Sequence, residues 1–303
     1  MKKVFIDGSA GTTGLRIYER LSSRKDIQLL SLTDEKRKDI NARSDALNSA
    51  DVAFLCLPDD AAKESASLVS NPNTAIIDTS TAHRVNPDWV YGLPELSGQR
   101  ERVKSSKRVA NPGCHATGFI VLVAPLVEAG IIARNEALSC FSLTGYSGGG
   151  KKMIAQYEDE GRDAILDAPR QYGLTQKHKH LPEMTKLSGL EVSPVFCPIV
   201  APYYAGMEVT VSLFKRDMKA IADCYRDYYR DGVISFVENA DEGGFISAGK
   251  FAGRDDMEVS IYGNDERILL ASRFDNLGKG ASGAAIQNMN ILLGVNETEG
   301  LNI

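Results

Sequence analysis

The chain has 303 residues, enough for about two domains with substantial cores, and its 43% hydrophobic and 25% charged residues are typical of a globular protein. Its formal net charge of −5 and the lack of a dense basic run argue against a nucleic-acid or membrane-surface partner. No apolar run approaches the ~18 residues of a membrane span, and the N-terminal run is too short for a signal peptide. The five scattered cysteines form no Cys-x-x-Cys pair, which predicts reduced thiols and a cytoplasmic protein rather than a disulfide framework or a structural zinc site.

The N-terminal segment has the order strand, glycine-rich turn, helix. Residues 4–6 predict a short buried strand, and Leu15, Tyr18 and Leu21 predict the apolar face of the helix. The turn carries five residues that are expected to bind the pyrophosphate of a dinucleotide: Gly8, Gly11, Thr12, Thr13 and Gly14. Because the spacing is Gly-x-x-Gly-x-x-Gly and not the commoner Gly-x-Gly-x-x-Gly, a turn that only packs the helix on the sheet is the alternative.

The second predicted strand, residues 27–32, ends where a residue that contacts the cofactor ribose belongs, roughly 20 residues after the turn. The charged loop that follows contains acidic residues such as Asp34, which suit the 2′-hydroxyl of NAD, and cations, which suit the 2′-phosphate of NADP. Arg37, its two lysine neighbours and the Ser31 hydroxyl favour NADP. A solvated charged loop is the alternative for each of these side chains.

Two further strands, residues 52–57 and 75–77, are predicted on either side of a helix that Asp59 caps. Strands that alternate with helices indicate an α/β fold with a doubly wound parallel sheet of the Rossmann type. Ligands of such sheets bind beyond the carboxyl ends of the strands. Pro58 and Ser80 lie at two of those ends, so we expect both to contact the cofactor.

Residues 111–119 are the segment that most clearly suggests chemistry. A Pro-Gly pair predicts a tight turn, and residues 119–132 predict a buried helix that Pro125 kinks or breaks. Cys114 is therefore expected at or just before a helix N-terminus, where the unpaired N–H groups and the helix dipole favour a thiolate. A nucleophile is one interpretation of Cys114, and a small buried side chain is the other.

The second half of the chain predicts runs of strands with few crossovers, which indicate an α+β domain with a mainly antiparallel sheet. The predicted strands are residues 137–144, 194–200, 208–214, 245–248 and 258–262, with a helix over residues 220–229. Residues 145–152 predict a flexible cationic loop that either holds a phosphate or carboxylate or is a hairpin-like surface loop. A last helix is predicted over residues 284–293, and its glycine-rich start is expected to face the cofactor through Asn276 and Lys279.

Four histidines are candidates for the base that activates Cys114. His115 is its neighbour, and adjacent residues on a helix point roughly 100° apart, so His115 is poorly aimed. His178 and His180 share a face if the chain is extended there, and Glu183 lies near enough to orient an imidazole. We therefore expect His180 to be the acid/base and His178 to contact the substrate. A metal pair and plain surface histidines are the competing interpretations, but without a clustered third ligand no metal is expected.

With these motifs the chain resembles, nearly from end to end, the N-acetyl-γ-glutamyl-phosphate reductases of arginine biosynthesis in their shorter form. The resemblance is carried by residues 8–14, 111–118, 147–148, 178–183 and 275–280. The cysteine segment is shared in outline with aspartate-semialdehyde dehydrogenases, whereas His-x-His-x-Pro-Glu points to the acetylglutamyl enzymes. One departure is that His83 precedes Arg84 where the family more often has an acidic-aromatic pair, so His83 has no assigned role and Arg84 is kept as a substrate contact.

The resemblance implies that NADPH reduces N-acetylglutamyl phosphate to its semialdehyde through a thioester on Cys114, with His180 as acid/base and Glu183 beside it. It implies substrate contacts from Arg84, Ser147, Gly148 and His178. We expect an NADP-binding domain of residues 1–113 and 277–303, a catalytic and dimerisation domain of residues 114–276, and a dimer or tetramer. Aspartyl phosphate or another acyl phosphate is the second candidate substrate, and a nucleotide-sensing regulator without turnover is a third interpretation.

Overall fold

The structure is a computed structural model that describes residues 1–33 and 35–303 and divides into two compact units. Unit 1 comprises Met1–Pro112 and Ala281–Leu301, and unit 2 comprises Gly113–Gly280 and Asn302–Ile303. The first segment of unit 1 therefore ends at residue 112, whereas the sequence predicted that end at residue 113. The second segment begins at residue 281, whereas the sequence predicted that start at residue 277. Asp34, the acidic residue of the predicted ribose loop, lies outside the described residues.

Unit 1 is built on a parallel sheet of six strands in the order β2-β1-β3-β4-β6-β5. The strands are β1 (Lys2–Asp7), β2 (Ile27–Leu30), β3 (Val52–Leu55), β4 (Ala75–Asp78), β5 (Val90–Tyr91) and β6 (Arg108–Ala110). The helices are α1 (Thr12–Ser22), α2 (Ile40–Ser49), α3 (Asp59–Ser67), α4 (Gln99–Ser105) and the C-terminal helix (Gly283–Leu293). The predicted doubly wound parallel sheet is confirmed.

Both faces of this sheet are buried by helices, and successive residues of each strand point to opposite faces. On β3, Phe54 packs in the cluster that contains Ile17 of α1 and residues of the C-terminal helix. Its neighbour Leu55 packs in a second cluster with Leu47 of α2 and Ala62 of α3. Helices on both faces leave the carboxyl edge of the sheet as the place where a ligand can bind.

The buried face of α1 differs from the prediction. Gly14, Ile17 and Leu21 are buried, whereas Leu15 and Tyr18 each remain 41% exposed. Positions 14, 17 and 21 follow the spacing i, i+3, i+7, which stays on one side of a helix with 3.6 residues per turn. The predicted spacing i, i+3, i+6 drifts around the helix, so it selected two exposed side chains.

The predicted capping role of Asp59 is also wrong. Pro58 is the residue that precedes α3, and Asp59 is the first residue of the helix. The Asp59 carboxylate accepts hydrogen bonds from the N–H of Thr81 at 2.9 Å and from the Thr81 hydroxyl at 2.5 Å. Asp59 therefore fixes the segment that follows β4.

Unit 2 is built on a mixed, mainly antiparallel sheet of seven strands in the order β11-β12-β13-β10-β7-β9-β8, which confirms the predicted class. The strands are β7 (Ser139–Gly145), β8 (Arg170–Gln171), β9 (Val195–Ala201), β10 (Met207–Phe214), β11 (Ile234–Phe236), β12 (Met257–Asn264) and β13 (Arg267–Phe274). The helices are α5 (Cys114–Glu128), α6 (Gly150–Glu158), α7 (Leu181–Ser188) and α8 (Met218–Tyr228). None of the described helices is long and apolar enough to cross a bilayer.

Helix α5 continues through Pro125, where a kink or break was predicted. A proline leaves the carbonyl four residues before it without its helical partner. The Tyr229 hydroxyl donates to that carbonyl, on Val121, at 2.6 Å, and the Tyr225 hydroxyl donates to the next one, on Leu122, at 2.5 Å. The Tyr229 hydroxyl thus satisfies the carbonyl that the proline leaves without its helical partner, and the helix continues without a break.

The strand predicted over residues 245–248 is wrong. The segment is an irregular loop in which Phe245 is 78% exposed. The loop is held by Arg273, which is fully buried and donates to the Glu242 carboxylate at 2.8 Å and to the Ala240 carbonyl at 2.6 Å. A buried guanidinium therefore organises this segment, and an apolar residue there was not a sign of a strand.

Candidate active site

The glycine turn of unit 1 is shaped by close backbone contacts. Gly8 has a φ of +89°, and a Cβ atom on it would lie 2.3 Å from the Cys56 carbonyl oxygen. A Cβ atom on Gly14 would lie 2.4 Å from the Gly8 carbonyl oxygen. Both positions therefore require glycine for packing, whatever ligand the turn binds.

The same turn presents backbone amides to a ligand. Gly11 precedes α1, and its N–H donates to the Gly8 carbonyl at 3.0 Å. Thr12 and Thr13 are the first two residues of α1, which has no side-chain cap and no acidic residue in its first turn. A helix start of this kind suits a pyrophosphate, so the residues fit the phosphates of a dinucleotide.

The other predicted cofactor residues of unit 1 lie at the carboxyl edge or just beyond it. Ser31 follows β2 and Arg37 lies in the turn before α2, and both are exposed. Pro58 precedes α3, and Ser80 follows β4. The Ser80 N–H and hydroxyl both donate to the buried Asp78 carboxylate, at 2.9 and 2.7 Å.

Arg84 ties two strand ends of unit 1 together. Its Nε atom donates to the Asn111 carbonyl at 3.0 Å, and its Nη2 atom donates to the Thr79 carbonyl at 3.2 Å. Because these residues follow β6 and β4, Arg84 has a structural role beside any contact with substrate.

His83 belongs to a buried pair that the sequence did not predict. Its Nδ1 atom lies 2.6 Å from an Asp78 carboxylate oxygen, and its ring stacks on Trp89 at a centroid distance of 4.0 Å.

In unit 2, Cys114 is the first residue of α5, as predicted, and Gly113 precedes it with no side-chain cap. The Cys114 side chain is half-buried against a π-helical turn, Gly278–Ser282. A Cβ atom on Gly280 would lie 2.8 Å from the Cys114 Cβ atom. Gly280 therefore leaves the room in which the thiol sits.

The histidine pair lies in the turn that leads into α7, so the extended conformation in which the two side chains would share a face is not formed. The rings of His178 and His180 are nevertheless adjacent, with centroids 4.8 Å apart and planes at 89°. The His180 N–H donates to His178 Nδ1 at 3.2 Å. The rings of Phe196 and His115 complete the cluster, at 5.1 Å from His178 and 5.6 Å from His180.

His115 is committed to other partners, so it does not serve as the base for Cys114. Its Nδ1 atom lies 2.6 Å from the Ser142 hydroxyl, and its Nε2 atom lies 2.7 Å from the Tyr172 hydroxyl. Burial, with a smaller effect of His178, lowers the pKa of His115 to about 3. His115 is therefore a neutral residue of the cluster.

Glu183 connects the start of α5 to the histidines. The side chain is 1% exposed, and one oxygen accepts a hydrogen bond from the Gly113 N–H at 3.1 Å. The other oxygen lies 3.9 Å from His180 Nε2. A single carboxylate thus lies between the residue before Cys114 and the predicted acid/base.

Ser147 and Gly148 lie in a short 3-10 helix, Tyr146–Gly149, that runs directly into α6. The predicted flexible or hairpin-like loop is therefore wrong. The Ser147 N–H donates to the Tyr204 carbonyl at 3.0 Å, which fixes the segment on the chain before β10.

Asn276 and Lys279 both belong to unit 2. The Asn276 amide donates to the Ser147 hydroxyl at 3.0 Å and accepts from the Gly206 N–H at 3.0 Å, so it holds a predicted substrate residue in place. Lys279 is fully buried in the π-helical turn. Across residues 1–33 and 35–303, no group of three or more His, Cys, Asp or Glu side chains is arranged to hold a metal ion.

The chain matches two protein-family models. Residues 3–106 match the semialdehyde dehydrogenase NAD binding domain, and residues 114–276 match the semialdehyde dehydrogenase dimerisation domain. The N-acetyl-γ-glutamyl-phosphate reductase of Brucella anthropi is 45% identical over 306 residues, which cover 96% of this chain and 98% of that protein. The same enzyme of Brucella ovis is 44% identical and covers 96% of this chain and 99% of its own.

Solved structures share the fold. An aspartate semialdehyde dehydrogenase II of Vibrio cholerae, complexed with ASA, superposes with a TM-score of 0.73 at 17% identity, over 97% of this chain and 98% of that one. An aspartate semialdehyde dehydrogenase of Candida albicans with NADP has a TM-score of 0.67 at 17% identity, over 97% and 98% of the two chains. The solved structures show only the fold, whereas the family models and the relatives that are 44–45% identical show the family. The chain belongs to the semialdehyde dehydrogenase family and, within it, to the N-acetyl-γ-glutamyl-phosphate reductases.

Proposed function

We propose that this chain reduces N-acetylglutamyl phosphate to N-acetylglutamate semialdehyde with NADPH, in arginine biosynthesis, through a thioester on Cys114. The observation that carries the proposal is the buried Glu183 carboxylate, which bonds the Gly113 N–H and lies 3.9 Å from His180 Nε2. It connects the residue before Cys114, at the start of α5, to the His180 imidazole. This placement suits a nucleophile, a base and a third group that orients the base. A nucleotide sensor has no need of this arrangement.

In the first step, the Cys114 thiolate attacks the carbonyl carbon of the acyl phosphate. A C–S bond forms, the C–O bond to phosphate breaks, and phosphate leaves with that electron pair and takes up a proton. The N-terminus of α5 favours the thiolate that this step requires. Ser147 and Gly148, held by Asn276, are proposed to bind the substrate together with Arg84 and His178.

The second step needs a hydride, which a reduced nicotinamide would supply when bound. The thioester carbonyl becomes an oxyanion, to which His180 donates a proton, so Cys114 carries a thiohemiacetal. His180 takes that proton back as the C–S bond breaks, and the aldehyde leaves while the sulfur regains its electron pair. Glu183 orients His180 for both transfers.

The cofactor is proposed to bind along the carboxyl edge of unit 1. The amides of Thr12 and Thr13 suit the pyrophosphate, and Gly8, Gly11 and Gly14 shape the turn around it. Ser31, Pro58 and Ser80 follow strands at the same edge and are proposed as further contacts, and Arg37 is proposed to pair with the 2′-phosphate of NADP. Asn276 and Lys279, which belong to unit 2, stay cofactor contacts predicted from the sequence.

A panel of semialdehydes and cofactors tests the proposed substrate. With phosphate present, the purified chain is expected to reduce NADP with N-acetylglutamate semialdehyde at least ~100-fold faster, in kcat/KM, than with aspartate semialdehyde, because a polar site rejects a substrate that leaves its groups unpaired. Faster turnover of aspartate semialdehyde would establish the alternative substrate. Cofactor binding without turnover of either aldehyde would establish the sensor.

We propose that a second copy of the chain covers the face of the unit 2 sheet opposite α5. Phe141, Val195 and Phe214 lie on that face and are 48%, 55% and 66% exposed, and residues 114–276 match a dimerisation domain. Light scattering is expected to give at least twice the monomer mass, and Phe141→Glu is expected to lower it. Ile165→Glu, at an exposed site outside the sheet, is the control, and a monomeric wild type would contradict the proposal.

A cytoplasmic location is also proposed. Cys56, Cys114, Cys140, Cys197 and Cys224 are all thiols and form no disulfide, which suits a reducing compartment. Cell fractionation that recovers the chain with an exported protein would contradict this location.

A further inference from the structure

Ser142, His115 and Tyr172 form a chain of hydrogen bonds that the proposed mechanism does not use. The Ser142 hydroxyl oxygen lies 2.6 Å from His115 Nδ1, and the Tyr172 hydroxyl oxygen lies 2.7 Å from His115 Nε2. Ser142 is fully buried on β7, and His115 is 3% exposed on α5. Tyr172 follows β8, where its N–H donates to the Pro198 carbonyl at 3.0 Å. Ser142 is therefore fixed by the sheet of unit 2, His115 by α5, and the Tyr172 backbone by its bond to β9.

The positions of the protons follow from the acceptors that each group has. Within the described chain, His115 is the only side-chain hydrogen-bond partner of the Ser142 hydroxyl. A proton on His115 Nδ1 would leave the buried Ser142 O–H without an acceptor, which is unfavourable. Ser142 therefore donates to Nδ1, and His115 is the Nε2–H tautomer, which donates to the Tyr172 oxygen. The Tyr172 O–H proton is then directed away from His115.

His115 and Tyr172, the two titratable groups in this series of hydrogen bonds, are both neutral near pH 7. Burial lowers the pKa of His115 to about 3, with a smaller contribution from His178. Burial raises the pKa of Tyr172 well above its usual range, with a smaller contribution from the charge of Cys114. His115 follows Cys114 at the start of α5, and the Tyr172 hydroxyl lies 2.7 Å from His115 Nε2, so the phenol lies at the same helix start as the thiol. Tyr172 is therefore a neutral O–H donor near the nucleophile.

We propose that the Tyr172 hydroxyl donates a hydrogen bond to the oxygen of the acyl group on Cys114, and that Ser142 and His115 are positioning residues that fix this donor. The inference rests on the proposed thioester chemistry. When hydride adds to the carbonyl carbon, the π electron pair moves onto that oxygen, and Tyr172 keeps its proton. A donor fixed beforehand stabilises the new charge without reorganisation.

Kinetics of three variants test this role. Tyr172→Phe is expected to lower kcat by about 10²- to 10³-fold with little change in KM, as for the loss of one oxyanion donor. Ser142→Ala is expected to lower kcat by about tenfold, because the tautomer is no longer fixed. The double variant is expected to be no slower than Tyr172→Phe, because Ser142 acts only through Tyr172. Ser105→Ala, at an exposed serine of unit 1, is the control and is expected to match the wild type.

An unchanged kcat in Tyr172→Phe overturns the proposal. So does a Ser142→Ala substitution that lowers kcat by the same factor in the wild type and in Tyr172→Phe, because that result indicates a general packing defect. Nitrogen-15 NMR of labelled histidine gives a readout that needs no substrate. The chain has four histidines, and His115→Gln identifies the His115 signals. The wild type is expected to carry the His115 proton on Nε2, and a proton on Nδ1 overturns the proposal. Failure of the acetylglutamyl substrate alone leaves this NMR result unaffected, so the two failures are distinguishable.

Discussion

Replacement of Cys114 by serine is expected to lower kcat by about 10³-fold or more while the fold and the affinity for NADPH stay unchanged. A serine hydroxyl at the start of α5 remains protonated near pH 7, because its pKa is far above that of a thiol. The ester that it would form is also a poorer hydride acceptor than a thioester. The measurement is steady-state reduction of NADP by the semialdehyde with phosphate, together with cofactor titration and thermal unfolding.

Cys224→Ser is the matched control, because Cys224 is half-buried on α8 and outside the proposed site. Its activity is expected to match that of the wild type. Iodoacetamide at pH 7 is expected to label Cys114 first, and bound substrate is expected to protect it. Burial raises the pKa of Cys56 to about 12 and raises that of Cys140 well above its usual range, so both stay unreactive thiols at that pH. A Cys114→Ser variant with more than about a tenth of wild-type activity would remove the thioester from the mechanism.

The elements of unit 1 could be predicted because their signals are local. Buried strands such as β3 and β4 are short apolar runs, and they alternate with helices at the spacing of a doubly wound sheet. Cys114 at the first position of α5 follows from the Pro-Gly turn before it. The buried face of α1 was mispredicted, because apolar residues at a constant spacing of three do not stay on one side of a helix with 3.6 residues per turn.

Long-range contacts account for most of what the sequence did not predict. The segment over residues 146–158 is helical because its first N–H groups bond carbonyls near residue 204, about 60 positions away. The four glycines of residues 145–150 alone favoured a flexible loop. Similarly, His115 is poorly aimed at Cys114 from their adjacency on one helix, and only the packed sheet brings Ser142 and Tyr172 to its two nitrogens.

The candidate site shows the same division. His178, His180 and Glu183 are close in sequence, so a motif could identify them together, although the bond from Glu183 to the Gly113 N–H crosses 70 positions. Asn276 was identified by its motif but predicted to contact the cofactor, and its amide is engaged by Ser147 and Gly206. A motif therefore identifies the residues of a site more readily than it identifies their hydrogen-bond partners.

Two substitutions of Glu183 are expected to separate its charge from its hydrogen bond. Glu183→Ala removes the acceptor of a buried N–H and is expected to reduce the free energy of unfolding by about 1–3 kcal/mol. Glu183→Gln keeps an oxygen for the Gly113 N–H and is expected to be nearly as stable as the wild type. Both remove the carboxylate beside His180, so both are expected to lower kcat by about 10²- to 10⁴-fold, the usual contribution of general acid–base catalysis.

Thermal unfolding and kcat, measured on the same preparations, decide between a structural and a catalytic role for Glu183. Glu191→Gln is the control, because this glutamate lies at the exposed pair with Arg134 and is expected to change neither quantity. A Glu183→Gln variant with wild-type kcat would show that the carboxylate serves only to hold the N–H of Gly113. A stable Glu183→Gln variant with a low kcat assigns the loss to the charge, because the hydrogen bond from the Gly113 N–H is still made. In that case the Glu183 carboxylate acts on His180 during catalysis, and the 3.9 Å between its oxygen and His180 Nε2 becomes shorter when the imidazole takes up its proton.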